Sequence, residues 1–480
     1  MKKLIFSWGL PVLILVLLWA NISCRPRVPE IISFTASLEI IFTGRDSILS
    51  WVTEDAQSCM IDNGVGNLPS NGFVVVGPTA TTTYTLTAIG DCDKQVTASL
   101  TVTVNDYESS VLQWLKCDQD LSANGGRYKL LGSQDYQDAY FNTYNNSIAA
   151  MCFILRNEKE RAELILDFFK NATVKNNTDI KLQNFFYSGE ARGFYQQARY
   201  VDGKYERAWD TADRWIGDMA FLLLSCSYYD RVYGSSRYQE LKELIRDLFS
   251  GFYTDNGDGG YIRHGWRYGD AYLHESSGHH EGNIDCYAAL KLCGEAGDAE
   301  ARQIAEKIKI WLDSELNGSN TSHGYPLDLY TWRAIVFGGG YCRLLDIPEN
   351  PANGYKKTVV INIENALFNG EIVTGFYHGP ADISNIWMDG TGHMACAYND
   401  CNNKELADFY IQQLEKMFVK ITYEEGASCS SMANLSLPYT ITNNDDNYRW
   451  VDPTKGFVSA AAWYIFAKNN FNPFLLLIRI

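Results

Sequence analysis

Hydrophobic and polar positions follow two different periods along this chain. Between residues 31 and 104 the apolar runs are short: ILSWV, GFVVVG, TTTYTLTAI and TASLTVTV, parted by Gly, Asn, Asp and Pro. Thr82–Ala88 alternates threonine with Tyr and Leu, the period of a half-buried strand. These runs predict a small β-sandwich, with Thr85–Val104 forming a hairpin around an acidic turn. From about residue 108 long amphipathic segments replace the short ones. Helix pairs are predicted within 145–169, 218–249, 283–312 and 391–418, and further first helices at 331–341 and 457–469. The clearest pairs share one grammar. A first helix is apolar on nearly all sides, a Gly, Asn or Asp turn follows, and the second helix carries charge on one face. A helix apolar all round is buried, and a striped one faces solvent. Six such alternations predict a mainly α domain over 108–480: an (α/α)6 toroid with an inner and an outer layer. The last inner helix lacks an outer partner in sequence order, and Val111–Cys117 supplies one if the ring closes. The plainer alternative is an irregular all-α domain.

The unusual polar residues cluster just before, or inside the first turns of, the predicted inner helices. AWDTADRWIGDMAF carries Asp210, Asp213, Trp215 and Asp218. GHHEGNIDCYAAL carries His279, His280, Glu281 and Asp285. YPLDLYTWRA carries Asp328, Tyr330 and Trp332, and SNIWMDGTGHMACAY carries Trp387, Asp389 and His393. Inner helices of a toroid run the same way, so their N-termini converge with unpaired N–H groups and partial positive charge. The pattern therefore predicts one wide, acidic, aromatic cleft.

Such a cleft suits a glycan. Glycosidic cleavage needs one protonated carboxyl to protonate the leaving oxygen and a second carboxylate to activate water or attack the sugar. The catalytic candidates are Glu281, Asp389 and Asp213. The substrate-binding candidates are Trp215, Asp218, His279, His280, Asp285, Asp328, Trp332, Trp387 and His393. An aspartate near a helix start is also a common cap, so each assignment has a purely structural alternative. No metal or cofactor is expected. HHEG is not H-E-x-x-H, adjacent ligands seldom reach one ion, and only His274 lies near enough to enlarge the group. A histidine beside a carboxylate also fits a lyase or epimerase that removes a proton from a sugar carbon, with Tyr272 or Tyr287 as partner. A glycan-binding or assembly protein without catalysis is the third reading.

The segments FNTYNNSIAA, RWIGDMAFLLL, HHEGNIDCYAAL, IWMDGTGHMACAY and FVSAAAWYIFAKNNFNPF, spanning 141–474, resemble the bacterial six-hairpin glycosidase superfamily of (α/α)6 enzymes. The resemblance implies a sugar-active protein, usually a hydrolase with two carboxylates. In the related pattern acidic residues are common where this chain has Asn145 or Asn146, and glutamate is common where it has Asp389. The same architecture also hosts lyases, epimerases and phosphorylases. TATTTYTLTA followed by VTASLTVTV resembles bacterial immunoglobulin-like modules. Such a module implies a spacer, with carbohydrate binding as the alternative.

Lys2 and Lys3 precede the apolar run Leu4–Ile22, which predicts a signal segment over 1–24. ANISC, ending at Cys24, resembles a bacterial lipoprotein signal and implies lipidation of Cys24; a plain signal peptide or an uncleaved membrane anchor is the alternative. Each of these places the protein outside the cytoplasm, and lipidation or an anchor attaches it to a membrane. Export permits disulfides. Cys59 and Cys92 are a candidate pair, and Cys152, Cys226, Cys286 and Cys396 lie in apolar helical patterns as buried thiols. A formal net charge of -16 with no basic stripe argues against a nucleic-acid partner. It also argues against strongly anionic substrates.

Overall fold

The computed structural model describes residues 27–125, 129–134, 140–173, 185–201, 204–208, 212–274, 279–318, 324–423, 429 and 434–479. The signal segment, Cys24 and Asp210 lie outside them. The chain divides into two compact units at Tyr107/Glu108.

The first unit is all β. Strands β1 (Glu30–Ala36), β3 (Ser47–Glu54) and β6 (Gly72–Val76) form one antiparallel sheet. A second sheet has the order β2 (Ile40–Phe42), β8 (Gln95–Asn105), β7 (Thr82–Ile89), β4 (Ser58–Ile61), β5 (Gly66–Leu68). Strand β7 buries Tyr84, Leu86 and Ala88 at the predicted period of two. They meet Leu49 and Trp51 of β3 in one shared core, where the Trp51 indole N–H donates to the Pro69 carbonyl. The β7–β8 hairpin turns through Asp91–Asp93, as its acidic turn predicts. Two sheets around one core is the architecture. The likeness to an immunoglobulin-like module rests on sequence texture alone.

The predicted Cys59–Cys92 pair is not formed. Cys59 is a buried thiol on β4 that donates to the Ser70 carbonyl, while Cys92 is exposed in the hairpin turn. Among the described residues the disulfides are instead Cys117–Cys429 and Cys342–Cys401. Cys152, Cys226, Cys286 and Cys396 are buried free thiols.

The second unit is helical. Its helices are α1 (Tyr107–Gly125), α2 (Thr143–Leu155), α3 (Lys159–Ala172), α4 (Ile216–Tyr233), α5 (Gln239–Phe252) and α6 (His280–Glu295). They are followed by α7 (Ala299–Glu315), α8 (Leu327–Phe337), the one-turn α9 (Asp346–Glu349), α10 (Met388–Asp400), α11 (Lys404–Lys416) and α12 (Val458–Lys468). Helices α2, α4, α6, α8, α10 and α12 pack each on the next, and α12 returns to α2, so the inner ring closes. These helices are buried almost all round. The outer ones are striped: α5 buries Leu241, Ile245, Leu248, Phe249 and Phe252. Each such side chain stabilises the layer contact by roughly 1.5–3 kcal/mol.

Helix α1 bridges the two inner helices that meet where the ring closes. Its Glu108 forms an ion pair with Arg156 at the end of α2 and accepts from Asn469 at the end of α12. One hairpin departs from the grammar. After α8, Gly338 and Gly339 both take positive φ, and Pro348 and Pro351 follow. The outer partner is therefore a 3-10 segment, Gly339–Leu345, continued by α9.

Five of the six inner helices share a device at their fourth residue; α12 has Ala461 there. Asn146 accepts the backbone N–H of Leu131 at 2.9 Å and donates to the carbonyls of Leu131 and Asn142. Asn283 repeats this on Ile262 and His279, accepting at 2.8 Å. Met219 Sδ, the Tyr330 hydroxyl and Thr391 Oγ1 accept the N–H groups of Phe194, Tyr325 and Phe376. A buried N–H without a partner costs about 1–3 kcal/mol. In these five helices the fourth position therefore ties the incoming segment to its helix and sets where the first turn begins.

Candidate active site

With the first turn in place, the second residue of each inner helix has a defined direction. Cα–Cβ bonds tilt toward the helix N-terminus, so a first-turn side chain overhangs the end. The second residues are Tyr144, Gly217, Glu281, Asp328, Asp389 and Ser459. All six line one cavity of about 320 Å³ at the N-terminal end of the ring. Carboxylates occupy this position on three successive helices, α6, α8 and α10. Asp218 on α4 and Asp285 on α6 add two more. Asp285 stands one helical turn after Glu281, and its Oδ2 lies where a Cβ on Gly217 would stand 2.8 Å away.

Aromatic rings wall the site: Tyr144, Trp215, Trp332, Trp387, Tyr439 and Trp450. Beneath them Trp332 stacks on Trp463, His393 stands edge-on to Trp463, and Phe474 packs against both tryptophans. The Trp463 indole donates to the Tyr144 hydroxyl at 2.7 Å. Asn142, Asn145, Gln196 and Gln197 bring amides to the rim.

None of the described residues lining the cavity is a lysine or arginine. The five carboxyls are therefore held toward their neutral form. Burial pushes Asp218 up to about 8. It raises Asp389 to about 7, with help from Asp328 and against a hydrogen bond from Ser459. Asp328 is pushed up by burial to about 6. Glu281 and Asp285 are driven well above the carboxylate range, first by burial and then by neighbouring carboxylates. The histidines bring no compensating charge: burial lowers His279 to about 4 and His393 well below its ordinary value. His279 Nδ1 accepts the Gly282 N–H, so this residue caps α6.

Ten of the twelve residues singled out in the sequence line this cavity: Trp215, Asp218, His279, Glu281, Asp285, Asp328, Trp332, Trp387, Asp389 and His393. Two do not. Asp213 is paired with Arg267 at 2.7 Å and accepts the Tyr268 N–H, so its charge is spent on the strand Gly265–Arg267. The His280 ring stacks on Trp311 of the outer layer. Sequence reasoning missed Tyr144, Gln196, Gln197, Tyr439, Trp450 and Ser459. Tyr144 and Ser459 could have been found by aligning the helices on their second residue. The others come from segments outside the repeat. No group of three or more His, Cys, Asp or Glu among the described residues is arranged to hold a metal ion.

No family model matches the sequence, and no curated protein matches it significantly. Among solved structures the chain is similar to a family 76 glycoside hydrolase from a bovine Bacteroides thetaiotaomicron strain. The identity is 10% and the TM-score 0.51, over 92% of this chain and 99% of that one. It is also similar to an alpha-amylase from Clostridium perfringens, with 12% identity and TM-score 0.47 over 75% of this chain and 96% of that one. A D-mannose isomerase gives 9% identity and TM-score 0.47 over 76% and 98% of the two chains. At this identity the first likeness speaks for the fold alone.

Proposed function

We propose that the protein is a glycoside hydrolase in which Glu281 is the general acid and Asp389 the general base. The observation that carries this reading is their shared position. Both stand second in an inner helix, on either side of α8, and face one tryptophan-walled cavity whose described lining holds no lysine or arginine. The fold shared with a family 76 glycoside hydrolase supports it. Burial and the neighbouring carboxylates keep the proton on Glu281, which gives it to the glycosidic oxygen as the bond to the anomeric carbon breaks. Asp389, ionised above about pH 7, takes a proton from water as that water attacks the anomeric carbon. The tryptophan faces hold the sugar rings. Asp213, tied to Arg267, takes no part.

The spacing of the two helices favours inversion. Axes of packed neighbouring helices stand roughly 8–10 Å apart, so alternate helices of a six-membered ring stand roughly 16 Å apart. Carboxyls reaching inward from such a pair leave room for a water molecule between acid and base.

The test is a reducing-end assay of the full-length protein on a panel of neutral and amine-bearing polysaccharides. Glu281→Gln and Asp389→Asn run beside it, and product anomers are read by NMR. New reducing ends with inverted configuration, lost in both variants, are expected. An unsaturated, ultraviolet-absorbing product would replace hydrolysis with elimination.

The site of action proposed is outside the cytoplasm, with Cys24 as the lipid-bearing residue. Two disulfides fit an oxidising compartment. No helix among the described residues is long and apolar enough to cross a membrane. Metabolic labelling with a fatty acid, lost in Cys24→Ser, tests the assignment.

A further inference from the structure

We propose that the cavity takes a cationic amino sugar, with its free ammonium group seated between Asp218 and Asp285. The proposal rests on the reading of this cavity as a sugar site and names the class of sugar.

Two carboxyls suffice for hydrolysis, yet five described carboxyls line the cavity. Four are at least nine-tenths buried: Asp218 is 6% exposed, Asp285 3%, Asp328 9% and Asp389 3%. Each has an oxygen with no hydrogen-bond partner among the described residues: Asp218 Oδ2, Asp285 Oδ1, Asp328 Oδ1 and Asp389 Oδ1. Buried carboxyls are ordinarily paired with a cation or saturated with donors. Here the described lining supplies no lysine or arginine, and its histidines are neutral. Without a counter-charge the carboxyls stay toward their protonated form, so a ligand held by their ionised form brings both the donors and the charge itself.

A hydroxyl donates one hydrogen bond and leaves the like charges uncompensated. A primary ammonium brings three donors and a full positive charge, and hydrogen bonds between charged partners are about twice as strong as neutral ones. The acid and base leave three carboxyls over, Asp218, Asp285 and Asp328. The first two project from α4 and α6, neighbours in the inner ring, and flank Gly217. The missing side chain at Gly217 leaves Asp285 its place there. Trp215 and Trp332 line the same cavity, and an ammonium held against aromatic faces gains further attraction. Carboxyls that hold their protons at neutral pH release them when the ammonium arrives, so binding is coupled to proton release.

The experiment compares glucosamine, galactosamine and mannosamine with glucose, galactose and mannose and with the three N-acetylated amino sugars. Monosaccharides avoid any dependence on linkage. Affinities for the full-length protein are read by ligand-observed NMR at pH 7. Calorimetry in two buffers of different ionisation enthalpy reads the protons released. At least one free amine is expected to bind ten-fold or more tightly than both its parent and its N-acetyl form, with protons released. Asp285→Asn and Asp218→Asn are each expected to reduce that preference below two-fold. Equal affinities within all three sets, or no binding by any amine, would overturn the proposal without any reference to the variants. An amine preference in a protein that cleaves no glycan would support the cation site and remove the hydrolase reading. Cleavage of neutral glycans with no amine preference would do the reverse.

Discussion

The roles proposed for Glu281 and Asp389 rest on register. Each is the second residue of its helix, and each is kept uncompensated by neighbours that carry no positive charge. Glu281→Gln and Asp389→Asn should each lower kcat/KM by about 10²–10⁴-fold, with unchanged circular dichroism. The pH dependence has a definite sign. The base works ionised, so kcat/KM should rise with pH through about 7, where Asp389 loses its proton, and fall only where Glu281 loses its own. Such limbs belong to the coupled cluster as a whole. Asp328 raises both groups, so Asp328→Asn should move the acidic limb to lower pH. An unmoved limb in a full pH–rate profile would show that Asp328 does not act on the base. The candidate carboxylates were legible because acids are rare inside apolar helices. Asp213 misled for the same reason: it precedes an inner helix, and only folding brings Arg267 to it. Tyr144 and Ser459 carry no charge to flag them, and Trp450 comes from a segment with no helical period.

Elements meet where the fourth residue of an inner helix holds the strand or loop that leads into it. Asn283→Ala would strip partners from the N–H and carbonyl of Ile262 at once. The expected cost is about 2 kcal/mol or more, read as a lower midpoint in urea. Because the same bonds set the start of α6, kcat should fall too, although Asn283 lies outside the cavity lining. Normal activity in a destabilised Asn283→Ala would separate the clamp from the site. The outer Cys342–Cys401 bridge spans 59 residues, and its removal by a double serine substitution should cost about 4 kcal/mol by the loop-entropy relation. The helix pairs could be read from their periods, since burial repeats every three or four residues. The fourth outer element could not, because glycines and prolines divide it into turns too short to carry a period. Cysteine pairing was unreadable for a related reason: Cys117 and Cys429 lie 312 residues apart and meet only once the ring has closed.

For the whole molecule, the buried acids link stability to pH. A carboxyl whose folded-state pKa is raised favours the native state while both states are protonated. That advantage is lost as pH climbs through the unfolded value toward the folded one. Asp218, at about 8 in the native protein, spans the interval from about 4 to about 8, and each pH unit is worth about 1.4 kcal/mol. The thermal midpoint should therefore fall between pH 5 and pH 8, and Asp218→Asn should flatten the fall. A midpoint in Asp218→Asn that drops as steeply as in the unaltered protein would show that other groups govern it. The ring of second residues carries a consequence of another kind. Each helix contributes one interchangeable tooth to a six-toothed wheel, and on five of the helices the bond that anchors the wheel sits two residues further along. Exchanging a tooth alters one sector of the chemistry and spares the anchors. Adding or deleting a residue between tooth and anchor turns that tooth about 100° out of the cavity, since a helix makes one turn per 3.6 residues. Descendants of such a chain can therefore diversify by point substitution at six places, but not by length changes there.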